Sequence, residues 1–446
     1  MHFAGVGNDV QATKFFLELK ERNPDIIFTT QDKNLIEQYF KGLDFKSFVF
    51  IGLAGMSNDI TGDMLFYLFK QLDQKVAIIT QKEAKVFVGN KKCMSSSYAS
   101  SNQNTMINTQ QNNKHISDEN TTVYILEFLK HLKLAQKYGV KYIILDVNSM
   151  VLSKLNRVGV KFDSMVFDKY LPDFDFKYLK HKGAVFVNQS DMLQVQKDLA
   201  DFKQHYENSK NNKSSKYKRI NITVFRYGNC VDKDLKKEKD MLCFNNYKVA
   251  VKGKRIGQLA DFVVNISKKS LVYKKQFIPV FGTHNTYNFM RAMQSFIHTL
   301  AKRIPVQIND LVDFVFNEIR TYKLPTGHMQ ILSLRPLVLL ETDFRLQNIA
   351  NDLIALNEVE KFTRIYRDQE IMVVLDRASL RSFGITKKQV ESLIRKLAFN
   401  VKLKSVHFVE SLEDIVAELP DKSREKNVDK VGPNKQLLVL VLSTNL

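Results

Sequence analysis

The sequence predicts an α/β protein built on parallel sheets, and three observations support this prediction. Short apolar runs alternate with stretches of helical periodicity from residue 48 to near residue 442. One apolar run, at 48–51, leads through glycines into an amphipathic helix and then into a second apolar run at 76–79. The chain has 446 residues, 44% of them hydrophobic, which is enough for two or three domains with buried cores.

Residues 48–61 have the layout of a phosphate-binding loop without its key residues. Such a loop presents backbone N–H groups and a helix N-terminus to phosphates, and adds a lysine and a hydroxyl for the terminal phosphates and Mg²⁺. Here Asp59 takes the place of the lysine, so we expect repulsion of a triphosphate unless a metal intervenes. Ser57 and Thr61 also fit simple helix-capping roles. The predicted loop residues are Gly52, Gly55, Ser57, Asn58, Asp59 and Thr61.

Composition divides the chain into three predicted domains. Residues 1–47 form a reduced N-terminal α/β piece, 48–324 a central domain, and 325–446 a C-terminal α/β domain that follows a Pro-Thr-Gly hinge. Two segments interrupt the central domain. Residues 93–120 are rich in Ser, Asn and Gln and are predicted to be a disordered insertion, and the lysine-rich residues 208–219 are predicted to be a flexible surface loop.

The remaining elements follow from apolar periodicity. A helix over 123–138 precedes a buried strand at 142–145 that ends at Asp146. Loops at the carboxyl ends of parallel strands bind ligands in α/β proteins, so Asp146 is the acidic residue that we favour for function. The other predicted strands are 162–167, 184–188, a β-rich stretch over 220–280, 337–340, 371–375, 406–409 and 437–442; the other predicted helices are 287–302 and 310–321.

Charge and cysteine content limit the functional classes. The net charge is +20, which fits either a lysine-rich compositional bias on solvated faces or a patch for nucleic acid or anionic lipid. No nucleic-acid-binding motif accompanies the charge. Cys93, Cys230 and Cys243 are widely spaced, which favours reduced thiols in a cytoplasmic protein. No signal-peptide pattern and no apolar run near the length of a membrane span is visible in the sequence.

An ordered set of motifs resembles the Mur ligases, closest to the MurE type, which adds the third amino acid to UDP-N-acetylmuramoyl-dipeptide. The clearest block is Asp-Val-Asn-Ser-Met-Val-Leu at 146–152, followed by Arg-x-Gly-x-Lys-Phe-Asp at 157–163. The other matches, in the family's order, are Thr121-Thr122, 187–191, Gly-Thr-His-Asn-Thr-Tyr-Asn at 282–288, and Pro-Thr-Gly-His-Met at 325–329. The resemblance covers about 48 to 340 and implies a P-loop-type central domain and a Rossmann-like C-terminal domain.

This resemblance also implies site residues and ligands. Mur ligases use ATP and Mg²⁺ to phosphorylate a carboxylate, which an amine then attacks. Asp146 would correspond to the Mg²⁺-binding glutamate, Asn285 and Asn288 to the nucleotide side of a helix start, and Asp343 to the C-terminal domain motif. The implied substrate-binding residues are Thr121, Thr122, Asn148, Ser149 and Arg157. The implied ligands are a UDP-sugar-peptide or a nucleotide.

Several departures from the family pattern predict lost catalysis. Asp59 replaces the phosphate-binding lysine, Met150 a histidine of the metal motif, and His328 the hinge arginine. The helix that supplies a carbamylated lysine is missing. We therefore interpret the chain as a pseudo-ligase that acts in binding or scaffolding with an unknown protein partner, with ATP and Mg²⁺ binding weakened or lost.

Two alternatives stay open at this stage. The first is an active ATP-dependent amide ligase of peptidoglycan precursor synthesis, with Lys82 or Lys85 as replacement cations. The second is a basic protein that binds nucleic acid or a membrane surface, which predicts strong salt dependence and lysines clustered on one face.

Overall fold

The structure is a computed structural model with two main sheets. It describes residues 2–3, 27–28, 42–54, 58–79, 83–88, 91–97, 129, 131–147, 155, 160–167, 184–188, 223–229, 241–252, 255–266, 269–334, 337–342, 346–363, 370–382, 384–397, 403–410 and 437–443. A short parallel pair near the N-terminus joins β1 (His2–Phe3) to β2 (Ile27–Phe28). Most of 1–47 lies outside these residues, so the N-terminal domain stays a prediction.

The central sheet has eleven strands among the described residues. They are β3 (Val49–Ala54), β4 (Val76–Ile79), β5 (Glu83–Val88), β6 (Lys91–Ser97), β7 (Tyr142–Asp146), β8 (Phe162–Phe167), β9 (Ala184–Asn188), β10 (Thr223–Asn229), β11 (Met241–Lys252), β12 (Arg255–Ile266) and β13 (Lys269–Ile278). Their order is β13-β12-β11-β10-β9-β8-β3-β7-β4-β5-β6. Strands β11 to β4 in this order are parallel, and an antiparallel hairpin extends each edge.

Strand β3 is an inner strand of the parallel part of the sheet, between β8 and β7, and its side chains are apolar on both faces. All six of its residues are buried, as are all four of β4, which is the pattern of a sheet covered on both sides. From β3 the chain passes to β4 on one side and later to β8 on the other. The carboxyl end of β3 is therefore a topological switch point, where open α/β sheets bind ligands.

Three helices follow or cover this sheet: α1 (Asn58–Gln71), α2 (Thr283–Ala301) and α3 (Ile308–Glu318). Phe69 of α1 stacks on Tyr142 of β7 at a centroid distance of 4.5 Å and meets Phe296 of α2 at 5.0 Å. Helix α2 starts after Gly282, whose φ of 91° suits glycine rather than a residue with a Cβ. A Cβ there would lie 2.9 Å from Ala355 of the next domain.

The second sheet confirms the predicted strands of the C-terminal region. Its strands are β14 (Gln330–Leu334), β15 (Leu337–Glu341), β16 (Glu370–Asp376), β17 (Leu403–Val409) and β18 (Leu437–Leu442), in the order β14-β15-β18-β16-β17. All neighbours are parallel except β14 with β15. The helices are α4 (Leu346–Phe362), α5 (Arg377–Ser382) and α6 (Lys387–Leu397).

The structure corrects two expectations from composition. Residues 93–97, predicted to be the start of a disordered insertion, are part of strand β6 and pair with β5. Composition could not predict this, because the pairing depends on the neighbouring strand. Residues 98–120 and 208–219 lie outside the described residues. Cys243 is buried in β11 and is disulfide-bonded, so the expectation of three reduced thiols is wrong at this residue.

Helix boundaries differ modestly from the predicted ones. Of the helix predicted over 123–138, residues 131–137 are described and helical. Helix α2 begins four residues earlier than predicted, and α3 ends at Glu318 before a short 3₁₀ turn over Ile319–Thr321. These shifts fall at helix ends, where periodicity is least informative.

Asp376 ties α5 to the end of β18, and its removal should destabilise the chain. Burial alone would raise the pKa of this carboxyl, but hydrogen bonds from Ser379, Ala378 and Ser443 outweigh it and hold the pKa below its usual value. A lowered pKa stabilises the fold above the carboxyl's unfolded-state pKa, and this contribution is lost as the pH falls.

We therefore expect Asp376→Asn to lower the free energy of unfolding by about 1–3 kcal/mol at neutral pH, and by less at a pH below the pKa of an unfolded aspartate. Urea unfolding at the two pH values measures this difference. The control is Asp73→Asn, on an exposed turn. An equal loss for both variants, or a loss for Asp376→Asn that does not shrink in acid, would contradict the expectation.

Candidate functional site

A cleft lies where α1, the start of α2 and the C-terminal domain meet. The described side chains that line it are mostly polar: Asp59, Ile60, His284, Asn285, Asn288, Leu324, His328, Met329, Glu341, Asn348, Asn351 and Asp352. The enclosed space among them holds about one water molecule. This described lining contains three carboxylates and two imidazoles but no lysine or arginine.

His328 lies between carboxylates that come from the two domains. Its Nδ1 is 3.2 Å from Glu341 Oε1, and its Nε2 is 3.9 Å from Asp59 Oδ2. Glu341 ends β15, is 3% exposed, and also accepts a hydrogen bond from the Met329 backbone N–H at 3.1 Å. The contact with Asp59 therefore joins the first turn of α1 to the segment that follows the predicted hinge.

A side-chain network joins α1 to α2 behind this bridge. Thr61 Oγ1 donates to Asn288 Oδ1 at 3.3 Å, and Asn288 Nδ2 donates to Asn285 Oδ1 at 3.0 Å. Arg291 donates to the same oxygen of Asn288. Because residues 285, 288 and 291 follow each other at helical i, i+3 spacing, they share one face of α2. Arg291 is 1% exposed and does not line the cleft.

Glu358 of α4 accepts three hydrogen bonds from the central domain. Tyr247 Oη donates to it at 2.6 Å, and Thr283 donates through Oγ1 at 2.5 Å and through its backbone N–H at 3.2 Å. The N-cap of α2, Gly282, has no side chain for capping, so a carboxylate from the other domain supplies the missing acceptor. Burial, and then the charge of Glu358, raise the pKa of the Tyr247 hydroxyl far above its usual value.

Two further contacts join α2 to α4, and α1 to the residue that precedes the hinge. His284 Nε2 lies 4.0 Å from Asp352 Oδ1 of α4. Tyr322, which is 2% exposed and precedes the hinge, donates to Asp63 Oδ2 of α1 at 2.9 Å. Burial, and then Asp63, raise the pKa of the Tyr322 hydroxyl well above its usual value. Both α1 and α2 are thus attached to the hinge or to the C-terminal domain.

The structure brings four predicted site residues together and places three others. Asp59, Asn285 and Asn288 line the cleft, and Thr61 contacts Asn288. Gly52 lies inside β3, where a Cβ would be 2.2 Å from Met165 Sδ, so it is a strand residue that serves close packing against β8 and not a loop residue as predicted.

Asp146 is the last residue of β7 and is partly exposed beside the end of β3, where the Val147 N–H donates to Leu53 O at 2.8 Å. It is not among the side chains of the cleft. Asn58 begins α1. The predicted residues Gly55, Ser57, Thr121, Thr122, Asn148, Ser149, Arg157 and Asp343 lie outside the described residues, so their roles stay predictions.

Sequence reasoning missed the residues that join the domains. Glu341 ends an apolar run at 337–340, the same signal that selected Asp146, and could have been found that way. Glu358 and Asp352 lie on a helix with no motif around them and carry no such signal. His284 lies in the first turn of α2 and is partly buried.

The carboxylates of the described cleft lining disfavour the binding of a triphosphate. A triphosphate brought to the N-terminus of α1 would meet Asp59 and Glu341 without a lysine or arginine in the described lining to offset them. Among the described residues, no group of three or more His, Cys, Asp or Glu side chains is placed to hold a metal ion. None of the helices among the described residues is long and apolar enough to cross a membrane.

No protein-family model and no curated protein matches this sequence. Solved structures do. Folylpolyglutamate synthetase from Lactobacillus casei matches with a TM-score of 0.57 and 11% identity, over 96% of each chain. A folylpolyglutamate synthetase complex with AMPPCP and folate matches at 0.55 and 12%, over 98% of this chain and 97% of that one. The Mycobacterium tuberculosis enzyme, in complexes with ADP and AMPPCP, matches at 0.51 and 12%, over 97% and 96%.

These likenesses, over nearly the full length, show the fold. The predicted multidomain α/β architecture is confirmed, and the fold is that of the folylpolyglutamate synthetase structures. A UDP-N-acetylmuramoyl-L-alanyl-D-glutamate–2,6-diaminopimelate ligase matches at a TM-score of only 0.46 and 12% identity, over 92% of this chain and 75% of that one. A likeness at that level carries no weight for MurE-type specificity.

Proposed function

We propose that this chain is a pseudo-ligase, a protein with the fold of ATP-dependent amide ligases that has lost ligase chemistry and acts by binding or scaffolding. The observation that supports this proposal is the arrangement of Asp59, His328 and Glu341 at the carboxyl end of the central sheet. A negatively charged side chain stands at the helix N-terminus where a phosphate loop holds phosphates.

Repulsion at this position is large on the scale of binding energies. Two like unit charges about 4 Å apart near a protein surface repel by about 4 kcal/mol, which is enough to remove micromolar affinity. Transfer of a phosphoryl group needs the opposite arrangement, with cations placed around the charge that spreads over the transferring group. The described lining of the cleft supplies none beyond its two histidines.

Asp59 also has a structural role that replaces a bound phosphate. A carboxylate in the first turn of α1 interacts favourably with the positive end of the helix. His328 lies beside it and is itself held by Glu341. The chain thus carries an internal anion at its phosphate position, and the contact of this carboxylate with His328 closes the cleft without a nucleotide.

The proposal includes finer statements. ATP and Mg²⁺ binding is weakened or lost, any remaining metal contact is proposed to involve Asp146, and the proposed ligand is a UDP-sugar-peptide or a nucleotide. The central and C-terminal domains are proposed to extend over 48–324 and 325–446, and the protein is proposed to work in the cytoplasm with a protein partner that is not identified.

A turnover assay tests the proposal. The purified chain is incubated with Mg²⁺-ATP, a panel of carboxylate acceptors that includes folates and UDP-muramoyl-dipeptide, and amino acids as amine donors. We expect release of ADP and phosphate at the background rate for every combination. A working ligase of this fold, assayed in parallel, verifies the conditions.

Amide formation above background with any pair would overturn the pseudo-ligase proposal. It would support the alternative, an active ATP-dependent ligase with a rebuilt site. In that case Lys82→Ala and Lys85→Ala variants would test whether these residues supply the cation that Asp59 does not. Activity that survives both substitutions would exclude them as the replacement.

A further inference from the structure

Charge is segregated between the two ends of the central sheet. The carboxyl end carries the acidic lining of the cleft. At the opposite end, six basic residues form what we call the basic edge: Lys46, Lys75, Lys141, Lys161, Lys302 and Arg303. The five lysines are exposed, and Arg303 is partly buried.

Strand pairing fixes the position of three of these lysines. Each of three lysines comes directly before a buried strand: Lys75 before β4, Lys141 before β7 and Lys161 before β8. These strands are parallel in the order β8-β3-β7-β4, so their start points share one edge. Lys141 N–H donates to Lys75 O at 3.1 Å, which places the two backbones side by side.

With a spacing of about 4.8 Å between neighbouring strands, the row from β8 to β4 spans about 15 Å. Lys46 extends it in front of β3, in the short 3₁₀ turn Phe45–Ser47. Lysines therefore precede four neighbouring strands at one end of the sheet.

The end of α2 adds two cations beside β8. Arg303 forms an ion pair with Asp163 of β8. Burial, and then the neighbouring Arg303, lower the pKa of Lys302 below its usual value. Burial, and then the charges of Lys302 and Arg303, lower the pKa of His298 to about 4. In both groups burial is the first cause, and the neighbouring positive charges are the second.

The described acidic residues at this end do not neutralise the edge. Asp163 is held by Arg303 and by the Phe50 N–H, and Asp44 accepts from the Lys46 N–H at the start of the 3₁₀ turn. Asp73 occupies an exposed turn before β4. Tyr138 is an exposed aromatic residue, and its backbone lies beside the row because Lys75 Nζ donates to its carbonyl oxygen at 3.3 Å.

We propose that the basic edge binds the phosphate backbone of a single-stranded nucleic acid. A line of cations with an adjacent exposed aromatic ring is the combination that sequence-tolerant single-strand binders use, with the cations on phosphates and the ring on a base. This surface lies at the end of the sheet opposite the cleft, so it does not depend on the proposed function.

An anionic membrane is the other polyanion to consider, and the described structure favours it less. Peripheral membrane binding is strengthened by an amphipathic helix that offers its apolar face to lipid. The helical residues 131–137 at this edge instead bury two of their three apolar side chains, Leu132 and Ala135, both 0% exposed, and Leu134 is partly buried. Lysines alone would give only a weak, delocalised attraction.

The experiment is a fluorescence anisotropy titration of the full-length protein with a labelled single-stranded oligonucleotide. Four phosphate contacts predict an affinity that falls about fiftyfold between about 50 and about 200 mM salt. A variant with Lys75→Glu, Lys141→Glu and Lys161→Glu should lose about tenfold or more in affinity at the lower salt and show a shallower salt slope.

The matched control reverses the charge of three exposed lysines that lie elsewhere, by Lys274→Glu, Lys388→Glu and Lys396→Glu. Its change in net charge is the same. Thermal unfolding of both variants verifies that they fold. An affinity loss in the edge variant that the control does not share supports the proposal. Equal losses would show that net charge alone acts, and would overturn it. Binding to anionic lipid vesicles without binding to the oligonucleotide would also overturn it.

Discussion

Replacement of Asp59 by lysine is expected to raise the affinity of the chain for Mg²⁺-ATP by about a hundredfold or more. The change removes a repulsive charge and adds an attractive one at the N-terminus of α1, where a phosphate loop places its lysine. It also removes the carboxylate that faces His328 at 3.9 Å, so the bridge that closes the cleft is lost. Isothermal titration calorimetry measures the gain directly.

Two further variants separate the causes of this gain. Asp59→Asn removes the repulsion without adding a cation and should give a smaller gain. Asp310→Lys makes the same change in net charge at an exposed residue in the first turn of α3 and should leave ATP binding unchanged. If Asp59→Lys and Asp310→Lys behaved alike, the local role of Asp59 in excluding nucleotide would be refuted.

Removal of the Glu358 carboxylate is expected to destabilise the chain by about 2–4 kcal/mol, because a charged acceptor of three hydrogen bonds is lost. Tyr247 and the first turn of α2 would lose the acceptor that they share. The Phe362 and Tyr247 rings, 6.3 Å apart across the same contact, would retain apolar packing only. Urea unfolding measures the loss of stability.

The same variant should loosen the attachment between the two domains. A distance measurement between labels on α1 and α6 should broaden in Glu358→Ala relative to wild type. The control is Glu391→Ala, which removes only an exposed i, i+4 ion pair with Lys387 and should cost about 0.5 kcal/mol or less. A Glu358→Ala variant that matched this control in both measurements would contradict the role assigned to Glu358.

The sequence was sufficient to predict the parallel strands, because these depend on local apolar runs. The runs at 48–51, 76–79 and 142–145 are buried in β3, β4 and β7, and 437–442 forms β18. Composition was a poorer guide at residues 93–97, since the serines of β6 are held by pairing with β5 rather than by their own preference.

The candidate site could be predicted only in part, and the limit lies in long-range contacts. The motifs around Asp59 and Asn288 predicted two parts of one site, and the hydrogen bond from Thr61 to Asn288 joins them across 227 residues. The partners from the C-terminal domain were not predictable. Glu358 meets Thr283 across 75 residues, and Glu341 meets His328 because two domains pack together, which no local pattern encodes.

The central claim, that the cleft excludes nucleotide, is tested most directly by titration calorimetry of the unmodified chain with Mg²⁺-ATP. We predict no saturable heat up to millimolar nucleotide, because Asp59 and Glu341 face the phosphate position and His328 already pairs with both. Saturable binding with a micromolar dissociation constant would contradict this account and would support a working nucleotide site.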